Sequence, residues 1–346
     1  MPTPKDVISR HAHFLEQYYN GQVNRFTPFL KRVAKRLREE LLKTNTVIST
    51  KRIKAKLAFV EAVILEEYGA YTADFNEQLE LFAQSEVEFA AGILEKDDVV
   101  NVVLPSPHQT VAAINARPFD TKLLKEELAD FTKSQVQIIR NAVSQGFYEG
   151  KTTQDIVREV IGTKARGFKD GQLNISRTKA ERMVRTALNH TSTIAKEKIF
   201  SDNEDIVKYY EIIATLDSRT SPHCRKWDGY VFKIGKGKLP PFHPNCRTTT
   251  GPVLDEVVKL KDGRFRKKEK EGGERASIKG PVSADLDYND WLKQQSKSFQ
   301  LDVLGKKRYE LFAKGDLHMD KFVNDKNQVL TLAQLKEKYP TAWGKI

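Results

Sequence analysis

The stretch DSRTSPHCRKWDGYVFKIGKGKLPPFHPNCR, residues 217–247, contains both cysteines of a 346-residue chain. It opens on the motif D-x-R-T-S-P-x-C and closes on H-P-N-C-R. A β-branched and aromatic run at 206–216 precedes it, and an Asp-Gly turn at 228–229 leads into a second strand-like run at 230–232. These patterns predict two short strands in a hairpin-like unit that brackets His223 and Cys224. The segment is therefore expected to be a small, loop-rich β module.

The cysteine and histidine side chains of this module predict one of two arrangements. Cys224, His243 and Cys246 have the donor types and the spacing of a zinc site, with His223, Asp217 or water as the fourth ligand. Adjacent residues of an extended strand point to opposite sides, so a site that uses both His223 and Cys224 requires a turn between them. In the alternative arrangement, the cysteines are packed thiols or a disulfide.

In that alternative, the polar residues form a structural network. Asp217 pairs with Arg219 or Arg247, and Asp228 belongs to the turn that Gly229 permits. The residues assigned to this structural motif are Asp217, Arg219, Asp228, Gly229, Asn245 and Arg247.

A third hypothesis is a metal-dependent nucleic-acid-processing enzyme centred on His243 and Asp228. His, Asn and Asp side chains near a metal are similar to those of ββα-metal nucleases, in which a following helix supplies further ligands. The residues RTTTGPVL at 247–254 have no helical pattern, so we expect no catalytic activity. A toxin-like effector is not favoured either, because 285–346 contains one His and no Cys.

Composition points to a polyanionic partner. The formal net charge is +12, which favours nucleic acid. The chain has no apolar run of 18 residues and no N-terminal apolar segment, so we expect neither a membrane span nor a secretory signal. Two cysteines are too few for a disulfide scaffold, which favours assembly in a reducing cytoplasm. Candidate DNA contacts are Arg264, Arg266, Lys267, Lys268, Lys270, Lys31, Arg32, Lys35 and Arg36.

The N-terminal region is helical in pattern and segregates its charges. Residues 31–56 carry ten basic and two acidic side chains, whereas 57–98 carry eleven acidic and one basic. Val33, Leu37 and Leu41 recur at helical spacing. We expect either antiparallel helices of opposite charge that face each other, or two faces for two partners.

The whole chain is predicted to be α+β and predominantly helical, with elongated helical N-terminal and middle parts. Asp120 is expected to cap a long helix that ends at Gly146 and Gly150, and Thr152 to cap a short helix through Ile161. The predicted regions are a charge-segregated helical region (1–98), a Pro-containing linker (99–118), a helical middle domain (119–200), the Cys/His module (201–258), a basic flexible linker (259–284) and a C-terminal α+β extension (285–346).

The two motifs together resemble the signature of the phage Mu F-like minor head proteins, also called head morphogenesis proteins of tailed phages. The preceding helix is similar too: Arg185-Thr186 match an Arg-Thr-Glu triplet of that family, although Ala187 replaces the Glu. The family often has a further cysteine at the position of Thr248, and its absence here removes one potential metal ligand.

The resemblance implies a minor capsid protein that enters the procapsid near the portal vertex. It implies contacts with portal, scaffolding or major capsid protein, and a location inside the virion after assembly in the host cytoplasm. Non-specific contact with packaged double-stranded DNA, or help with its ejection, is a further implication. No membrane contact is expected during assembly.

Overall fold

The computed structural model describes residues 3–43, 49–95, 101–118, 122–260, 264–268 and 272–346. They form a predominantly helical α+β protein with a small antiparallel sheet, which confirms the predicted fold class. The chain divides into two compact units. The first unit comprises 1–16, 84–113 and 189–346, and the second comprises 17–83 and 114–188. Each unit thus joins separate stretches of chain, whereas the sequence analysis divides the chain into consecutive regions.

Seven helices form most of the described chain up to residue 202. They are α1 (Pro4–Asn24), α2 (Phe26–Leu42), α3 (Thr50–Leu94), α4 (Pro107–Ala116), α5 (Leu124–Tyr148), α6 (Thr153–Ile161) and α7 (Gln172–Asp202). Within the described residues, no helix combines the length and the apolar character that a membrane crossing requires.

Opposite charges on α2 and α3 face each other in the second unit. Val33, Leu37 and Leu41 are fully buried, as their spacing predicts. On the same helix, Arg32 donates to Glu67 of α3 at 2.6 Å. Arg36 bonds to Glu66 (2.8 Å) and also to Glu67 (3.1 Å). The predicted pairing of oppositely charged helices is confirmed for these side chains.

Two predictions about the middle of the chain need correction. The linker predicted at 99–118 contains α4, because Pro107 occupies the first helical turn, where proline is tolerated. Gly146 does not end α5: it lies inside the helix, where a Cβ would stand 2.6 Å from Cγ1 of Ile156 on α6. Glycine is therefore needed there for close helix packing. Thr152 caps α6 as predicted, whereas Asp120 lies outside the described residues.

The first unit contains a five-stranded antiparallel sheet of order β3-β1-β2-β5-β4. Strand β1 lies between β2 and β3 and pairs with both, in registers that include Tyr210↔Phe232 and Ile213↔Thr249. Helix α8 connects β1 to β2, so the predicted hairpin-like unit around His223 and Cys224 is confirmed. The strands and this helix are β1 (Tyr209–Ile213), α8 (Pro222–Trp227), β2 (Val231–Lys233), β3 (Thr249–Val253), β4 (Val257–Lys259) and β5 (Phe265–Lys267).

The stretch predicted as a flexible basic linker is structured in its described residues. After β5, a two-stranded sheet forms from β6 (Glu274–Ser277) and β7 (Gly280–Ser283). Five short helices follow and enclose a core around Tyr288, Trp291 and Leu311. They are α9 (Tyr288–Lys293), α10 (Lys297–Leu304), α11 (Lys306–Ala313), α12 (Leu332–Lys338) and α13 (Pro340–Trp343).

Candidate metal centre

Cys224 lies in the first turn of α8, where the sequence fixes the helix start. Ser221 caps the helix, and its Oγ accepts a hydrogen bond from the backbone N–H of Cys224 at 3.3 Å. Pro222 follows at the first helical position, which suits its fixed φ. The S-P-x-C part of the motif is thus a helix-capping sequence that places one thiol. It also supplies the turn between His223 and Cys224 that a shared site would need.

His243 and Cys246 are brought together by a tight turn. The N–H of Cys246 donates to the backbone oxygen of His243 at 3.1 Å, with Pro244 and Asn245 between them. Asn245 has a φ of +60°, and proline followed by a left-handed residue is the type II turn pattern. The H-P-N-C sequence therefore encodes a turn that brings together the side chains at its two ends.

The three predicted ligands meet in one place. The Sγ atoms of Cys224 and Cys246 are 3.6 Å apart, and Nε2 of His243 lies 3.1 Å from Sγ of Cys224. A disulfide needs about 2.05 Å, so both cysteines are free thiols. Two thiolates bound at about 2.3 Å to a tetrahedral zinc ion would be about 3.8 Å apart. The spacing therefore fits a metal better than a covalent bridge.

The three side chains of the cluster differ in how readily each holds a proton. Burial, strengthened by contact with Cys246, raises the pKa of the Cys224 thiol well above its usual value. Burial opposes charge on Cys246 too, but hydrogen bonds with Cys224 and His243 outweigh it and hold the pKa of Cys246 well below its usual range. For His243, burial lowers the pKa, yet the adjacent Cys246 outweighs this effect and raises it. The structure thus favours one thiolate beside one thiol.

His243 is oriented for binding through Nε2. Its Nδ1 lies 2.8 Å from the backbone oxygen of Pro244, which can accept the Nδ1 proton. A carbonyl that accepts the Nδ1 proton fixes the tautomer that leaves Nε2 free to bind a metal. The donor set of two sulfurs and one imidazole nitrogen fits zinc.

The other proposed ligands do not join the three donors. Among the described residues, Cys224, His243 and Cys246 form the one group whose ligand atoms lie within 4.8 Å of each other. His223 is outside this group, and the centroids of its ring and that of His243 are 6.0 Å apart. Burial, followed by the neighbouring His243, lowers the pKa of His223. A fourth ligand would therefore have to be water.

Asp217 is a structural residue that holds the two motifs together. Arg247 donates to both of its carboxylate oxygens, at 2.6 and 2.8 Å. Thr220 adds its backbone N–H at 2.9 Å, while Arg219 lies further away at 3.5 Å. Burial opposes ionisation, but Arg247 outweighs it and lowers the pKa of Asp217. Of the two predicted partners, Arg247 is therefore the dominant one.

Asp228 pairs with Arg275, a residue that the sequence analysis missed. Arg275 donates to both Asp228 oxygens, at 3.0 and 3.1 Å, and also to the backbone oxygens of Ala214 (2.5 Å) and Leu286 (2.9 Å). Asp228 further accepts the N–H of Ala214 at 2.6 Å. Both charged side chains are fully buried. Next to them, Gly229 takes a φ of +78° that completes the turn.

A second polar network that was not predicted from the sequence supports β3, next to the Cys/His cluster. Asn189 of α7 donates to the backbone oxygen of Thr248 at 2.9 Å, and buried Lys196 bonds to Thr249. Lys196 lies 3.9 Å from Glu86, which also accepts a hydrogen bond from Ser192 at 2.6 Å. Burial lowers the pKa of Lys196, and Glu86 only partly offsets it. These polar residues are buried on one face of α7 and on the facing part of α3.

The candidate DNA contacts fall into different environments. Carboxylates of the chain itself bind four of them: Arg32 and Arg36 pair with α3, Lys267 with Glu211 at 2.8 Å, and Lys268 with Glu256 at 2.6 Å. Lys31, Lys35, Arg264 and Arg266 are exposed; a carboxylate of Glu39 lies 4.0 Å from Lys35, and one of Asp320 lies 3.9 Å from Arg264. Lys270 lies outside the described residues.

Comparison with known families addresses the same region. Residues 137–251 match the family model described as Phage Mu protein F like protein. This stretch of the chain is similar to the phage Mu F-like family. The predicted resemblance is thereby confirmed over α5 to β3, which includes all three ligands of the candidate metal centre. No match was found among the curated proteins or the solved structures. The family match supports a phage head morphogenesis protein.

Proposed function

We propose that this chain is a minor capsid protein of a tailed bacteriophage that enters the procapsid near the portal vertex and acts by binding. The family match over residues 137–251 carries this proposal. Portal protein and scaffolding or major capsid protein are the proposed partners. The mature location is inside the virion, after assembly in the host cytoplasm.

The way in which the motif residues are used supports a structural role for the Mu F-like stretch. Asp217 pairs with Arg247, and Asp228 with Arg275, so the acidic side chains of the motif are held by the chain itself. An Asp that is to bind a catalytic metal needs free carboxylate oxygens, whereas both oxygens of Asp228 accept hydrogen bonds from Arg275. This arrangement favours a rigid support over the alternative enzyme centred on His243 and Asp228.

Zinc is the proposed cofactor of this support. Cys224, His243 and Cys246 would hold the ion with water in the fourth position, and the ion would supply cross-linking rather than chemistry. Helix α8 contributes one ligand, and the turn before β3 contributes two. The bound ion would therefore fasten the β1–β2 connection to the β2–β3 connection.

Non-specific double-stranded DNA remains a proposed partner. Arg264 and Arg266 of the β5 region are the exposed candidates; Arg264 also donates to the hydroxyl of Tyr230 at 3.0 Å and lies 3.9 Å from the Asp320 carboxylate. Phosphate contacts of this kind predict affinity that falls steeply with salt. Arg264→Ser/Arg266→Ser should reduce binding of a duplex at low salt, and binding that is unchanged would argue against these contacts.

The head-assembly proposal is tested in a phage that encodes the chain, with an early stop codon in its gene. We expect defective heads or particles without infectivity, restored when the wild-type protein is supplied. Mass spectrometry should find the protein at low copy number in purified procapsids. Normal, infectious particles made without the protein would refute the proposal.

The enzyme alternative is tested with purified protein and duplex DNA in the presence of Mg²⁺, Mn²⁺ or Zn²⁺. Our proposal expects no cleavage. His243→Ala is the diagnostic variant, and His13→Ala, an exposed residue of α1, is the matched control. Metal-dependent cleavage that His243→Ala abolishes and His13→Ala preserves would establish an enzyme.

A further inference from the structure

The basic residues of α2 lie on two different faces of that helix. Arg32 and Arg36 point to α3 and pair with Glu66 and Glu67. The remaining cations, Lys31, Lys35 and Arg38, line a groove instead. These cations form one basic segment in the sequence, but in the structure two of them pair with α3 and three line the groove.

This α2 groove belongs entirely to the second unit and has a volume of about 570 Å³. It runs between α2 and the stretch from the end of α6 to the start of α7. Its apolar lining consists of Leu30, Ala34, Ile161, Phe168 and Leu173. The charged residues that line it are Lys31, Lys35, Arg38, Lys169, Arg177 and Glu39. Five cations thus surround an apolar floor together with one carboxylate.

One wall of the groove is held rigidly before any partner arrives. Asp170 accepts hydrogen bonds from the N–H and the hydroxyl of Thr163, both at 2.8 Å. Gly171 packs so closely on Ile161 that a Cβ would stand 2.3 Å from its carbonyl carbon. Within this loop, Phe168 has a φ of +61° and a side chain that is 45% exposed. An aromatic residue in this left-handed region is unusual and marks the loop as a shaped surface.

We propose that the α2 groove binds an acidic amphipathic helix of a partner protein. Apolar side chains at i, i+3 or i+4 and i+7 of such a helix would contact the floor, and its flanking Glu or Asp side chains would meet the five cations. Charge complementarity selects the acidic partner over a basic or neutral one. The opposite face of α2 already holds an acidic helix, α3, through the same kind of pair. This inference does not depend on the proposed role in head assembly.

The floor argues against DNA as the occupant. Cations and hydrogen-bond donors stabilise a bound phosphate backbone. In this groove, however, the phosphates would lose their hydration where they meet Ile161 and Leu173, both of which are buried and apolar, and this desolvation is unfavourable. An amphipathic helix satisfies both parts of the groove at once. DNA binding is therefore an outcome that the experiment has to separate.

The test measures binding of labelled peptides to the full-length protein by fluorescence anisotropy. The probe is a panel of acidic amphipathic helices with Leu at i, i+4 and i+7 and Glu on the flanks, compared with scrambled peptides of identical composition. Lys35→Glu/Arg38→Glu should weaken binding of the acidic helices at least tenfold. Phe168→Asn tolerates the left-handed backbone and should weaken binding severalfold. Lys179→Glu, an exposed change outside the groove, should leave it unaltered.

Five results would overturn the proposal. The first three are failure of every acidic helix to bind at 1 mM, equal binding of the scrambled peptides, and equal loss in Lys179→Glu. The fourth is that a duplex DNA binds the wild type and displaces the peptides, and that Lys35→Glu/Arg38→Glu and Phe168→Asn abolish this DNA binding. Sedimentation would detect a second copy of the chain as the occupant: self-association that Lys35→Glu/Arg38→Glu abolishes would also refute a separate partner.

Discussion

Replacing Arg275 should destabilise the first unit strongly. The Arg275 side chain is 1% exposed and that of Asp228 is 0% exposed. In Arg275→Met, the Asp228 carboxylate would stay buried, with the N–H of Ala214 still donating to it. Breaking a buried ion pair on one side in this way costs about 3–5 kcal/mol of unfolding free energy. Arg266→Met, an exposed change on β5, should cost less than about 0.5 kcal/mol.

The chain offers a selective assay for this effect. Its three tryptophans, Trp227, Trp291 and Trp343, all belong to the first unit, so intrinsic fluorescence during urea unfolding reports on that unit. The double variant Asp228→Leu/Arg275→Met removes both charges and should recover at least half of the loss. A cost below about 1 kcal/mol for Arg275→Met would refute the reasoning. So would a double variant whose cost equals the sum of the two single changes.

Three further changes test other parts of the molecule. Burial opposes ionisation of Glu211, but Lys5 and Lys267 lower its pKa from 4.5 to about 2. This depressed pKa contributes up to about 3 kcal/mol of stability above pH 4.5, which is lost as the pH falls towards 2. In acid titrations followed by fluorescence, Glu211→Gln should remove most of this pH dependence of stability, whereas the exposed change Glu88→Gln should leave it in place. Equal unfolding curves for the two variants would contradict the role of Glu211. Native mass spectrometry should find one zinc ion per chain in the wild type and none in Cys246→Ser. A wild-type protein that contains no metal after expression in zinc-supplemented medium would refute zinc binding. Asn245→Gly should leave the melting temperature and zinc content near wild type, whereas Asn245→Val, strained at positive φ, should lower both. Equal behaviour of these two variants would count against the turn.

Apolar spacing and capping residues made much of the fold predictable. The buried Val33, Leu37 and Leu41 define the inner face of α2, and Thr152 sets the start of α6. Residue type and spacing predicted that Cys224, His243 and Cys246 could converge, and the structure brings the three side chains together. These signals are local, and local signals can be read from a sequence.

The strands between 264 and 284 could not be predicted, because the contacts that stabilise them join residues far apart in the chain. Lys267 and Arg275 are basic residues that point inward, to Glu211 and Asp228, and their partners lie more than 40 positions away in the chain. A buried cation looks like a solvated one until its partner is known. The same difficulty hid Lys196 and Glu86. Long-range ion pairs therefore account for most of what the sequence analysis missed in the first unit.

The burial of Lys196 makes this side chain a built-in probe of opening. Its amine is 0% exposed and bonded to Thr249, so an amine-reactive reagent can modify it only in molecules whose first unit has opened locally. Exposed lysines such as Lys179 react in every molecule and supply the internal standard. The ratio of the two modifications, measured by mass spectrometry, would follow opening of the unit in samples too turbid for optical methods, intact particles included.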